Sequence, residues 1–380
     1  MQRVRATWGP RKLRLPSAGA GPTPFQAREN LQPNVACTVQ ALARPIAHGL
    51  LCRVRLVVPR ATTSLAHAAY LMRPTAAGVA LAAPAQFISL HDAALIRRGA
   101  LTATGAIEDV AWAPGGRVAA VIDEEGLRTM EVARDAARWR VVGKSYACHF
   151  TADGEALWVV RPAAHGPGPG DGPGAYVELR DSGNGVVQRR RYLPDPFGGA
   201  AFTLAPHPAT RSIVVWIAAP DGASRSFVVS ANAEGLTVEQ VPIDGGYPPE
   251  PIGGTAQYLL ARGEALERRS WSGHAVLDEM IWPWLEDAPL AVLALDERLA
   301  LWASQAGRLH LIDHREMSYL DEISIVGRPP RPISEYLPDS AESYWGTDFQ
   351  QLCAVAGHVI LQFGERDLVS LELAALTEGL

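Results

Sequence analysis

The chain has 380 residues, 48% of them hydrophobic and 4 of them cysteine, with 35 basic side chains against 40 acidic ones. That apolar content excludes an intrinsically disordered chain, and such sparse cysteine excludes a small disulfide-stapled scaffold. The length suits one large domain or roughly two to three ordinary ones, with enough chain to bury a substantial core.

Charge is unevenly spread. Residues 1–71 hold nine Arg and Lys12 against the single acid Glu29, a net +9, which leaves 25 basic and 39 acidic residues, a net −14, for the remainder. This first segment has no steady helical or strand period. Its basic, acid-poor composition suits either a cleaved targeting peptide or a disordered arm, the latter including translation from an upstream start. Pro10, Pro16, Pro22 and Pro24 would break the amphipathic helix that a targeting peptide needs, so the arm is the better reading and the folded domain is expected over residues 72–380. The acidic body repels phosphate backbones and anionic lipid, which argues against nucleic-acid or membrane partners. Arg189–Arg191 is its one basic cluster and reads as a solvated strand edge or turn. No run of 18 apolar residues occurs, since Arg53, Arg55, Pro59 and Arg60 interrupt the longest candidate.

From Ile107 onward the chain is a succession of short apolar or β-branched runs separated by Gly, Pro, Asp and Asn, an all-β rhythm. Helical periodicity is confined to Ala275–Trp282 and the very end. The stretch VAWAPGGRVAAVIDEEGLRTMEV from Val110 reads strand, Gly turn, strand, acidic Gly turn, strand. The same grammar returns from Cys148, Ala201, Ala291 and Leu352, more weakly from Ile252, and GVALAAPAQFISLHDAALIRRG from Gly78 supplies strands for a first copy. Trp112 to Phe150 spans 38 residues and Phe150 to Phe202 spans 52, the excess falling in the Pro/Gly-rich piece Ala163–Gly174. A period of about 40 residues with insertions confined to turns is what a four-stranded propeller blade requires. The sequence therefore predicts an all-β propeller of six or seven four-stranded blades, preceded by a poorly ordered arm. Trp158 and Trp302 are expected in second strands, and the innermost strand of the first blade is expected at about Ser64–Leu71.

VELRDSGNG at Val177–Gly185 ends a third strand in an apolar residue, a variable residue and Asp, followed by a Gly-containing turn, and His310-Leu311-Ile312-Asp313 is similar. On these residues the chain resembles the WD40/YVTN group of β-propellers over roughly residues 75–375. No copy ends in Trp-Asp or opens with Gly-His, so the resemblance implies the fold rather than an activity.

Candidate sites are few. The glycines of His165–Gly174 are interleaved with prolines that remove the amides needed to cradle phosphate, and a surface loop is the simpler reading. His310, Asp313 and His314 are close in sequence, but strand alternation sends His310 and Asp313 to opposite faces. The same alternation argues against a Cys148–His149 nucleophile and base. The four cysteines show no C-x-x-C spacing, so no zinc ribbon or redox pair is expected, and a reducing, cytoplasmic compartment fits. No cofactor, catalytic residue or metal ligand is assigned. Phe197, Tyr247, Trp284 and Trp345 stand just before inner strands, with Asp195, Glu286, Asp287 and Asp348 nearby. Aromatics at such a rim suit a protein or peptide partner, the plainer reading being that they cap blade ends. The expected function is thus an interaction scaffold binding through rim loops. The alternative is a metal-dependent propeller hydrolase or lactonase at the central channel, and a third class is an exported binding propeller.

Overall fold

The short runs that alternate with turn residues fold as β-strands, and their sheets follow one another along the chain. A computed structural model describes residues 41–45, 51–83, 87–164, 166, 168, 172–194, 201–219, 223–241, 248–262, 265–281, 289–304, 308–328, 349–363 and 366–380. Three strands come first: β1 (Ala41–Pro45), β2 (Leu51–Val57) and β3 (Ala61–Ser64). Blade 1 comprises β4 (Leu71–Pro74), β5 (Gly78–Ala83), β6 (Phe87–Asp92) and β7 (Arg97–Thr102), and blade 2 comprises β8 (Ile107–Trp112), β9 (Val118–Asp123), β10 (Gly126–Glu131) and β11 (Ala136–Val142). Blade 3 is β12 (Ala147–Phe150), β13 (Ala156–Ala163), β14 (Gly174–Asp181) and β15 (Val187–Pro194). Blade 4 is β16 (Ala201–Pro206), β17 (Ser212–Ala218), β18 (Ser224–Ala231) and β19 (Leu236–Val241). Blade 5 is β20 (Glu250–Pro251), β21 (Gln257–Arg262), β22 (Ala265–Ser270) and β23 (Val276–Ile281), and blade 6 is β24 (Pro289–Ala294), β25 (Leu299–Ser304), β26 (Leu309–Asp313) and β27 (Ser318–Ile325). Blade 7 is β28 (Phe349–Val355), β29 (His358–Phe363) and β30 (Asp367–Glu372), with β3 as its outer strand; the short helix α1 (Leu373–Thr377) follows.

The innermost strands touch in the cyclic order β4, β8, β12, β16, β20, β24, β28 and back to β4, which closes a seven-bladed β-propeller. Seven apolar clusters fill the seven seams, and the period-2 alternation of the second strands assigns each side chain to one of them. In β13, Ala156, Trp158 and Val160 pack toward blade 4 while Leu157 and Val159 pack toward blade 2. In β5, Ala80 and Ala82 face blade 2 while Val79 and Leu81 face blade 7. In β25, Leu301 and Ala303 face blade 7 while Ala300 and Trp302 face blade 5. Both faces being covered, second strands are almost wholly apolar, whereas outer strands such as β11 and β15 are exposed along most of their length. The Arg189–Arg191 triplet lies on exposed β15, with Arg190 stacked 4.5 Å over the ring of Tyr176.

Turns between third and outer strands are held by a repeated device. Asp181 accepts the amides of Gly183 and Asn184, and Asp313 accepts those of Arg315 and Glu316, so the aspartates behind the family resemblance do the same work. Behind the turns of blades 3 and 5 sits a buried ion pair. Arg180 pairs with Glu178 and donates to the carbonyl of Gly185, and Arg269 pairs with Glu267 and donates to that of His274. The acceptor in each case belongs to a positive-φ residue, Gly185 at 76° or His274 at 52°.

Three expectations change. Ala61–Ser64, within the expected arm, is a strand that pairs antiparallel with β30 and completes blade 7, so the ring begins before Met72. The innermost strand of blade 1 starts at Leu71 instead of running over Ser64–Leu71, because the segment between is the link from blade 7. The helical candidate Ala275–Trp282 contains β23, an outer strand whose one covered face leaves only Met280 buried and so blurs the alternation. Further upstream, β2 adds parallel to β27 on the outside of blade 6, and β1 pairs with β2. Arg55, 0% exposed, donates from Nε and Nη2 to Asp321 Oδ2 at 2.8 and 2.6 Å and from Nη1 to the carbonyl of Glu378.

Two stability measurements check this packing. Trp158→Ala empties a fully buried site between blades 3 and 4 and should lower the free energy of unfolding by about 3–5 kcal/mol in urea titration. Asp321→Ala strands the Arg55 guanidinium in the interior, and a loss of about 3–5 kcal/mol is expected from the same titration.

Candidate functional site

Polar side chains set into the mostly apolar innermost strands reach neighbouring strands around the axis. Asp109 of β8 joins three blades: Oδ1 accepts from Arg73 Nη2 of β4 at 3.0 Å, and Oδ2 accepts the backbone amide of Cys148 in β12 at 3.0 Å. Gln351 of β28 spans the closing seam, its Oε1 accepting the Met72 amide at 2.7 Å and its Nε2 donating to the Tyr70 carbonyl at 3.1 Å. Tyr70 in turn donates to the carbonyl of Ile107 at 2.6 Å, and Gln362 donates to that of Ala69 at 2.6 Å. On the other side of the ring Glu250 of β20 accepts the Ala294 amide of β24 at 3.3 Å.

Burial shifts several inner-ring groups toward their neutral forms. It pushes the carboxyl of Glu250 up to about 8, against the opposing pull of the Ala294 amide. It raises the Cys148 thiol well above its ordinary value, helped by Asp109, and raises Cys353 to about 12. It also lowers His149, whose Nδ1 lies 2.8 Å from the Phe150 carbonyl. A thiol held that firmly in its protonated form is a poor nucleophile. Cys148 packs in the apolar seam between blades 2 and 3, so the dipeptide behaves as the alternation argument expects. Among the described residues the inner ring thus carries inter-blade staples, with Arg73 and Asp109 joined by a salt bridge.

The other histidine cluster is also committed to structure. His310 Nδ1 lies 3.2 Å from the Tyr319 hydroxyl, Asp313 takes Arg298 Nε at 2.6 Å, and His314 Nε2 meets the carbonyl of Asp296 at 3.0 Å. Among the described residues no group of three or more His, Cys, Asp or Glu is arranged to hold a metal ion, and no helix is long and apolar enough to cross a membrane. Phe197, Tyr247, Trp284 and Trp345, with Asp195, Glu286, Asp287 and Asp348, lie outside the described residues, as does much of the His165–Gly174 loop. Asp109, Glu250 and Gln351 escape a reading by motif. Their only signal is a polar residue at an inner-strand position, Asp109 beside Glu108 in IEDVAW or Gln351 beside Gln350 in FQQLCAV, legible only once the strands are placed.

Glu250 gives the inner ring a measurable pH signature. Its folded-state value of about 8 lies above the ordinary 4.5, so between these limits the unfolded chain releases a proton that the folded one retains. The stability linked to this group is complete below pH 4.5 and lost as pH rises through 8. Glu250→Gln should match the wild type at pH 4.5 and exceed it at pH 8.5, read as the difference in urea midpoints between the two proteins. A scan against family models and a search of curated proteins both return no match for this chain.

Proposed function

We propose that the chain is a protein-interaction scaffold on a WD40-like propeller, which holds a protein or peptide partner on the loops of one rim. One observation carries this reading. Strands alternate direction within every blade, so all links from an outer strand to the next inner strand leave the ring on one face. Links 65–70, 103–106 and 143–146 hold six, four and four residues, with Tyr70 and Tyr146 among them. Those containing Phe197, Tyr247, Trp284 and Trp345 are 195–200, 242–249, 282–288 and 326–348. The extra chain length falls on the last three of these links, with Tyr247, Trp284 and Trp345, whereas Tyr70 and Tyr146 of the shorter links are already engaged by the Ile107 carbonyl and the Phe202 ring. Aromatic side chains provide large contact area at low entropic cost, and neighbouring acids would select a partner with basic groups. The acidic body disfavours nucleic acid and anionic membrane as partners. The free, buried thiols of Cys148 and Cys353 accord with a reducing cytoplasm.

Replacing Tyr247, Trp284 and Trp345 together by Ala should abolish recovery of the partner in pull-downs from the native cell extract while leaving the melting temperature within a few degrees of wild type. Undiminished recovery of every partner would remove the rim from consideration.

A further inference from the structure

The buried Glu–Arg tie of blades 3 and 5 has a chemically different occupant in blade 1. On β6, Ile88 and Leu90 pack toward blade 2, so Phe87, Ser89 and His91 face the closing seam with blade 7. Ser89 and His91 stand two residues apart on the third strand, as Glu178 and Arg180 do on β14. His91 Nδ1 lies 3.2 Å from the carbonyl of Leu95, the positive-φ residue of the following turn, at 62°. That is the contact Arg180 makes to Gly185 and Arg269 makes to His274. The carboxylate of the tie is replaced by a hydroxyl, Ser89 Oγ, 3.2 Å from His91 Nε2.

The bonding fixes the tautomer. A carbonyl can only accept, so Nδ1 carries the proton and Nε2 presents its lone pair to the serine hydroxyl, which donates. Burial lowers the affinity of His91 for a second proton, and Arg97 adds to this, against the Leu95 carbonyl and Asp92. The imidazole is therefore the free base at neutral pH. The orienting carbonyl is itself held, because Asp92 accepts the Ile96 amide at 2.9 Å and is clamped by Arg98. The pair opens on a cavity of ≈ 110 Å³, walled across the seam by Thr63–His67 and Ala69. Leu65, Leu81 and Ala83 make part of its lining apolar, and Arg97, 5.7 Å from the Phe87 ring centroid, borders it with a positive charge.

From this arrangement we infer that the blade 7–blade 1 seam is a second site, a serine acyl-transfer centre for small esters of short acyl chains, with Ser89 as nucleophile and His91 as general base. Ser89 Oγ forms the bond to the acyl carbon as its proton passes to His91 Nε2. The alcohol leaves with that proton, and water then cleaves the acyl-serine through the same imidazole. The Leu95 carbonyl takes the orienting role that a carboxylate plays in a three-member relay, and the cavity admits only a few non-hydrogen atoms of acyl chain. Arg97, in the cavity lining, is the cation placed to offset charge developing on the acyl oxygen. The groups facing His91 are Asp92 and Arg97 from its own blade and His67 from the link across the seam.

The test is covalent labelling of the full chain with an alkyl fluorophosphonate, located by peptide mass spectrometry. The expected result is a single adduct on Ser89, absent in Ser89→Ala and formed at least about 100-fold more slowly in His91→Gln, with both variants melting as wild type does. The wild-type labelling rate should rise with pH through an inflection below the ordinary histidine value of 6.5 and then level off. This second reading stands even if His91→Gln loosens the turn. No adduct at Ser89, or a rate independent of pH across that range, would overturn the assignment.

Discussion

Every blade of this propeller is a sheet that cannot cover its own faces. A second strand such as β13 sends Trp158 into one seam and Leu157 into the next, so no blade holds a core by itself, and each seam exists only when two neighbours are in place. Closure of the ring turns that dependence into stability, because no terminal sheet is left with a wet apolar face. The inner strands add polar staples to their share of the seams. Asp109 ties blades 1, 2 and 3, and Gln351 ties blade 7 to blade 1.

This division explains what could be read from sequence. Second strands are covered on both sides, so their apolar runs stand out, and the repeats from Val110, Cys148, Ala201 and Ala291 fall on the observed blades with Trp158 and Trp302 fully buried in β13 and β25. Outer strands meet water on one side, and their pattern decays. β23 carries Val276, Leu277, Met280 and Ile281 at spacings that suit a helix as well as a strand. β3 has no apolar signature at all in ATTS, and its place is set by pairing with β30, a relation no local pattern records. The Glu-x-Arg ties were within reach of a closer comparison, since VELRDSG and LERRSWSG place the same pair before corresponding turns.

Candidate function was less legible because its residues occupy positions where the repeat does not constrain identity. A rim aromatic reads the same as a blade cap in sequence, and Ser89 and His91 look like any two polar residues of a strand until the Glu–Arg ties of blades 3 and 5 show one occupant of that slot. Differences between equivalent positions of one ring are therefore more informative than the identity of any single residue.

The pairing of β3 with β30 also sets a timetable for biosynthesis. Ala61 is made about 300 residues before its partner Ser370, a wait of about 15–60 s at cellular translation speeds. During that interval blade 7 does not exist and the seam-facing side of blade 1 has no counterpart. Closure waits on a contact between residues 309 apart in sequence, and a slow phase governed by chain closure is what such connectivity produces.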